Sequence, residues 1–161
     1  MEVCCAARAD DLTAVYMHGI DLRVTDEFKD CLVLNTRMAA RAITRRYDRA
    51  LRPYGVTAAQ FSILATIARK PGHSITEMAK GLAMDRTTLS RNLDLLAAKK
   101  LIVLNDGPTG NSKLCSTTQM GAKLLETLMP EWRKAQAELR KLLAEQPLED
   151  FLASLKRLSA L

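Results

Sequence analysis

SITEMAKGLAMDRTTLSRNLDLLAAKK, residues 74–100, is the stretch on which the fold turns. Ser74 can cap a first helix, and Glu77 stands three residues on, the capping-box spacing. Gly81 ends that helix or the turn behind it. Asp85 can cap a second helix, whose Leu89, Leu93 and Leu96 recur at helical spacing on one face. Arg86, Thr87, Thr88, Ser90, Arg91 and Asn92 then fall on or near its exposed N-terminal half. Two helices joined by a tight turn, with short hydrogen-bonding side chains and arginine at the start of the second, make a helix-turn-helix. Its second helix would offer those groups to base edges and phosphates in a major groove. The spacing alone also suits a plain helical hairpin with a solvated face.

The residues that follow favour the first reading. Residues 101–104, LIVL, form a short apolar strand candidate. A turn-rich loop, NDGPTGN, occupies residues 105–111, and residues 113–117 return as a second strand. A helix-turn-helix followed at once by a β-hairpin is a winged helix, whose loop tip can reach a minor groove or the phosphate backbone.

A chain of 161 residues is one domain of ordinary size. It is 48% hydrophobic but only 4% aromatic, and rich in Ala, Leu, Arg and Lys, which favours a mostly helical protein. The net charge of +6 suits a polyanionic partner, because basic groups release counterions from phosphates. No apolar run is long enough to span a bilayer, and residues 1–5, MEVCC, do not open a secretory signal, so a cytoplasmic protein with no membrane partner is expected. Cys4, Cys5, Cys31 and Cys115 lack paired zinc-site spacing, and only His18 and His73 could join them. Neither a metal nor a cofactor is expected, and the cysteines should be reduced thiols.

Working outward, residues 1–24 are a weakly patterned extension, with a short helical turn expected over residues 11–16. Thr25 can cap a long helix running to about Arg52, stopped by Pro53 and Gly55. Leu34, Met38, Ala42 and Ala50 share an apolar stripe of that helix, and Arg37, Arg41, Arg45 and Arg49 form an i,i+4 ladder on another face. Thr57 caps a helix to about Arg69 with Phe61, Leu64, Ala65 and Ala68 inward, and Pro71-Gly72 breaks it. Thr118 caps a last long helix to about Gln146, carrying Leu124, Leu125, Leu128, Trp132, Leu139, Leu142 and Leu143. Pro130 within it predicts a kink or local break. Pro147 starts a final helix with Phe151, Leu152, Leu155 and Leu158 apolar. The terminal helices carry more apolar surface than one small domain covers, which a twofold dimer would bury. Such a dimer would also set two recognition helices one DNA turn apart, suiting a pseudo-palindromic operator.

The expected architecture is therefore mostly α with a small β-hairpin wing, an α+β winged helix, dimeric through its N- and C-terminal helices. Residues 1–24 form an extension, 25–56 a dimerisation helix, 57–117 the DNA-binding lobe and 118–161 further dimerisation helices.

The order of elements and several segments resemble the MarR family of bacterial transcriptional regulators. The matching text is Arg41-Ala42-Ile43-Thr44-Arg45-Arg46-Tyr47-Asp48, then Leu51 and Gly55-Val56-Thr57-Ala58-Ala59-Gln60-Phe61. It continues with Ile75-Thr76-Glu77-Met78-Ala79, with Met84-Asp85-Arg86-Thr87-Thr88-Leu89-Ser90-Arg91-Asn92-Leu93, and with Thr118-Gln119-Met120-Gly121. The resemblance covers roughly residues 26–161. It implies an obligate homodimer in a bacterial cytoplasm that binds double-stranded DNA and represses a nearby gene or operon. It also implies release of the DNA by a small molecule, commonly an aromatic or phenolic acid or its derivative. It carries Arg86, Thr87, Thr88, Ser90 and Arg91 over as recognition-helix contacts, with Ser74 and Thr76 as phosphate contacts. The family's wing normally reads Asp-x-Arg before its second strand. Thr109 and Asn111 stand in those places here, leaving Lys113 as the basic side chain nearby, so weaker minor-groove contact is expected.

An effector pocket would lie where the first, second and long fifth helices meet. Its candidate lining is Asn35, Met38, Arg41, Tyr54, Phe61 and Leu64, with Trp132 as an outsider. An arginine at the mouth of an apolar pocket suits a carboxylate or an acyl-thioester. Most of these positions also read as plain core. Cys31 offers an alternative, a thiol-based redox switch near a helix N-terminus. By the resemblance, it lies about two residues before the position where some family members sense peroxide. A buried small side chain is its plainer role. No catalytic constellation is legible, His73 reads as a solvent-facing loop residue, and no enzyme is expected. The remaining alternative is a winged-helix protein-interaction module. The polar, basic start of the recognition helix argues against it, since such a face would want apolar or aromatic groups.

Overall fold

The computed structural model describes residues 28–107, 113–143 and 147–160. Expectations for Cys4, Cys5, His18 and Thr25, and for the wing tip at Thr109 and Asn111, lie outside the described residues. Among the described residues, six α-helices and one hairpin follow in order: α1 (Leu32–Leu51), α2 (Ala58–Arg69), α3 (Ile75–Gly81), α4 (Arg86–Ala98), β1 (Ile102–Asp106), β2 (Lys113–Thr117), α5 (Gln119–Leu142) and α6 (Leu148–Leu158). The chain divides into two compact units, Met1–Arg41 and Ala42–Leu161.

In the first unit a 3-10 turn, Phe28–Asp30, precedes α1. Regular helix starts at Leu32, later than a cap at Thr25 would set it. Asn35 donates its side-chain amide to the carbonyls of Lys29 (2.8 Å) and Cys31 (2.9 Å), taking up acceptors at that start. Leu32, Val33, Leu34 and Met38 are exposed.

The second unit carries the core. Caps fix its helix starts. Thr57 and Gln60 form a capping box at α2, Ser74 and Glu77 another at α3, while Asp85 accepts from the Thr88 amide at α4. Asp48 adds to the first of these, its Oδ1 accepting from the Ala58 amide at 2.8 Å. Leu51, Ile63, Leu64, Ile67, Met78, Leu89, Leu93, Leu96 and Leu128 pack into one cluster with β-sheet residues Ile102 and Cys115. Ala68, expected inside, is exposed. It shares the angular sector of Phe61 and Leu64 but sits in the last turn of α2, beyond their cover. Ile63 and Ile67 fill the core instead.

Both helices of the helix-turn-helix end alike. The Ala83 amide bonds to the Lys80 carbonyl and Met84 to Ala79, while Lys100 bonds to Ala97 and Leu101 to Leu96. These are the paired bonds of a Schellman motif, and the left-handed residue is Ala83 in one (φ 49°) and Lys100 in the other (φ 58°). Gly81, expected to mark the stop, is simply the last residue of α3.

The hairpin pairs Ile102 with Thr117 through to Asp106 with Lys113, antiparallel. Ser74 bridges to Leu114, and the Gly72 amide reaches the Cys115 carbonyl at 3.3 Å, so the chain entering α3 lies against β2. α5 runs through Pro130 without the expected break, with buried Leu128 and Ala135 anchoring the turns on either side. Tyr47 donates to the Gln136 side chain, and Arg46 pairs with Glu138, joining the second half of α1 to α5.

Candidate nucleic-acid interface

Five of the eight residues singled out for DNA contact line one cleft of about 410 Å³: Ser74 and Thr76 from the start of α3, Arg86 and Ser90 from α4, and Lys113 from β2. Ile75, Leu93, Asp94 and Leu104 complete its lining. Positions nearly forty residues apart meet because the Ser74–Leu114 bridge fixes the start of α3 beside the wing strand. Arg86 and Lys113 bring positive charge to an opening edged by hydroxyls, a donor set suited to phosphate oxygens. Thr87, Thr88 and Arg91 do not line the cleft; they lie exposed on α4, open to a groove laid along that helix.

The starts of both helices are electrostatically fixed. Hydrogen bonds from the Ser74 backbone and hydroxyl hold the Glu77 carboxyl below the usual carboxylate range. The Thr88 hydroxyl and then its amide do the same for Asp85. Each charge sits at a helix N-terminus, where the macrodipole favours an anion. At the far end of α4, the Lys99 ammonium donates to the Gly55 carbonyl, in the left-handed residue just before α2.

A second cavity, also about 410 Å³, lies wholly within the second unit. Ile43, Thr44, Tyr47 and Leu51 line it from α1, Ala58, Ala59, Phe61 and Ser62 from α2, with Met84 and Trp132. Of the expected pocket residues that belong to this unit, Phe61 and the outsider Trp132 line it. Leu64 is fully buried in the core, and Tyr54 is exposed in the 3-10 turn Arg52–Tyr54. Asn35, Met38 and Arg41 are exposed in the first unit. The sequence signal that could have found the cavity is the small pair Ala58-Ala59 facing large neighbours. Burial raises the Tyr47 phenol above its ordinary value, with Arg140 partly opposing it.

Cys31 is half-buried, whereas Cys115 is buried, and burial alone pushes its thiol up to about 11. Among the described residues no group of His, Cys, Asp or Glu is placed to hold a metal ion, and no helix is long and apolar enough to cross a membrane.

The MarR family sequence model matches residues 54–110, which span α2, the helix-turn-helix and the first wing strand. No curated protein matches the chain. Among solved structures, the Mycobacterium tuberculosis transcriptional regulator MosR in complex with DNA is similar at 34% identity and a TM-score of 0.72, covering 81% of this chain and 97% of that one. A cysteine-to-serine mutant of Escherichia coli MarR with operator DNA matches at 26% identity and 0.72, over 81% and 96%. A Staphylococcus aureus MepR–DNA complex matches at 26% and 0.69, over 81% and 98%. Near-complete coverage of the MosR chain at that identity, and a hairpin wing on a helix-turn-helix, lead to one assignment: the chain belongs to the MarR family of winged-helix, DNA-binding transcriptional regulators.

Proposed function

We propose that this regulator is a repressor that binds a pseudo-palindromic operator as a homodimer and leaves it when a small molecule occupies the α1–α2 cavity. The observation that carries the DNA reading is the cleft where Ser74, Thr76, Arg86, Ser90 and Lys113 meet. In this reading Arg86 and Lys113 neutralise phosphates, Ser74 and Thr76 fix register at the backbone, and Thr87, Thr88 and Arg91 reach base edges. Residues 57–117 form the DNA-binding lobe. Residues 25–56 and 118–161 serve the dimer. Exposed Leu32, Val33, Leu34 and Met38 on α1, and Leu152, Leu155 and Leu158 on α6, are the apolar surface it would cover.

Gel-shift titration on the DNA flanking the protein's own gene, at two salt concentrations, tests the proposal, with light scattering to read the assembly. Tight, sequence-selective binding by a dimer is expected. Weak binding erased by salt, with no sequence preference, would overturn specific operator recognition and favour a protein-interaction module.

A further inference from the structure

Residues 74–98, the helix-turn-helix, carry three carboxylates: Glu77, Asp85 and Asp94. Glu77 and Asp85 are taken up in the caps of α3 and α4. Asp94 is not: it is exposed, and among the described residues it makes no hydrogen bond or ion pair. It stands in the second half of α4, where the macrodipole gives an anion no support, and aspartate is a weak helix former. Local stability therefore does not account for it. Asp94 nevertheless lines the cleft whose other charged groups, Arg86 and Lys113, are both positive. We propose that Asp94 is a specificity-determining residue, which repels phosphates that enter the cleft out of register and so weakens binding to random duplex more than binding to the operator. This inference rests on the proposed DNA role of the cleft.

The layout of α4 supplies the difference between the two duplexes. Arg86, Ser90 and Asp94 stand at i, i+4 and i+8 and line the cleft in a row. Two turns of helix set Asp94 roughly 12 Å along the axis from Arg86. On the operator, base contacts from Thr87, Thr88 and Arg91 hold one register, and the phosphate of that register rests at the Arg86 end. Asp94 is then about a Debye length away at ~0.1 M salt, and its repulsion is largely screened. On random duplex no base contact fixes the register. Phosphates are drawn in by charge and sample the whole row, including the end where Asp94 meets them without a paired cation. A repulsive group aimed at the wrong complex raises selectivity without any new attraction to the right one.

The full-length protein is compared with Asp94→Asn, which removes the charge at nearly constant shape, and Asp94→Glu, which keeps it. Fluorescence anisotropy follows each on the operator fragment from the DNA flanking the gene and on a random duplex of equal length, across a salt series. Asp94→Asn is expected to bind random duplex about fivefold tighter at ~0.15 M salt, with a salt slope steeper by about one, the effect of one more phosphate neutralised. Its operator binding should tighten by less than about twofold, so the operator-to-random ratio falls. Asp94→Glu should keep the wild-type ratio. A merely structural role would weaken both bindings and leave the salt slope alone. An unchanged ratio in Asp94→Asn overturns the inference, whether both affinities rise together or neither moves. A loss confined to the operator overturns it as well and makes Asp94 a base contact. A ratio that falls equally in Asp94→Glu also overturns it, since shape rather than charge would then be responsible. Wild-type protein that binds neither duplex, or both alike, overturns the DNA reading itself and the inference with it. Where the wild type prefers the operator, the DNA reading stands and the variants judge Asp94 alone.

Discussion

Gly121 stands so close to Leu101 that a Cβ built on it would lie 2.1 Å from the Leu101 carbonyl oxygen and 2.9 Å from Thr117 Cγ2. That carbonyl already accepts from the Thr118 amide (3.1 Å) and the Thr118 hydroxyl (3.1 Å), and the same hydroxyl accepts from the Gly121 amide at 3.0 Å. The base of the wing and the first turn of α5 are thus one joint. Gly121→Ala cannot be accommodated by a side-chain rotation, because the obstacle is backbone. A loss of about 3 kcal/mol is expected from this overpacking, read as a lower urea midpoint at unchanged slope.

The stops of the recognition pair point the other way. Lys100 occupies the left-handed place of a Schellman motif, where glycine carries no Cβ penalty. Lys100→Gly keeps the backbone carbonyl that accepts from Thr118 Oγ1 at 2.7 Å. It should stabilise the protein by roughly 0.5–1 kcal/mol, net of the added freedom of the unfolded chain. Ala83→Gly should act in the same direction. A thermal melt that falls for both would contradict the left-handed assignment.

Arg91 and Lys113 should separate the two kinds of DNA contact. Arg91→Ala is expected to weaken operator binding more than binding to random duplex, since the proposed function places it at base edges. Lys113→Gln should weaken both alike and lower the salt slope by about one. Fluorescence anisotropy across a salt series, on both duplexes, reads the two patterns.

Acid should loosen the helix-turn-helix first. The Glu77 and Asp85 carboxyls titrate below their ordinary values because they accept hydrogen bonds at the starts of α3 and α4. A depressed folded-state pKa means the ionised caps contribute stability above the unfolded-state value. That contribution is lost as pH falls through the folded-state value, below the usual carboxylate range. In Asp85→Asn, a neutral residue that can still cap, part of that pH dependence should vanish. Amide exchange over residues 86–90, followed against pH, checks it.

Thiol labelling should spare Cys115. With its thiol raised to about 11 by burial, almost none is thiolate at neutral pH. Iodoacetamide should leave the Cys115 peptide unmodified in the native protein and alkylate it fully in denaturant, as mass spectrometry of the digest would show. Native alkylation of Cys115 would mean that β2 opens readily.

How much of this was legible in the chain differs from element to element. Thr57, Ser74, Asp85 and Thr118 cap the helices they were expected to cap, because a capping bond spans only two or three residues. Leu89, Leu93 and Leu96 are buried as their spacing required, and β2 spans residues 113–117 as expected. The helix stops were harder to see. Their left-handed residues are Ala83 and Lys100, and neither side chain announces that conformation. The cavity was harder still. Phe61 could be found from its periodicity, but Thr44, Ser62 and Met84 come from α1, from α2 and from the turn between α3 and α4.

By itself, then, the sequence determined what local bonds and periodicity can specify: caps, the buried face of α4, the hairpin and the basic start of the recognition helix. Only the tertiary structure decided which distant groups meet. It set Lys113 beside Ser74 through the bridge at Leu114, welded Gly121 to Leu101, and gathered a cavity lining around Trp132. The physical reason is range. A cap or a turn is settled by neighbours along the chain, whereas a cleft or a cavity is the space left when independently specified elements pack, and no single segment encodes that space.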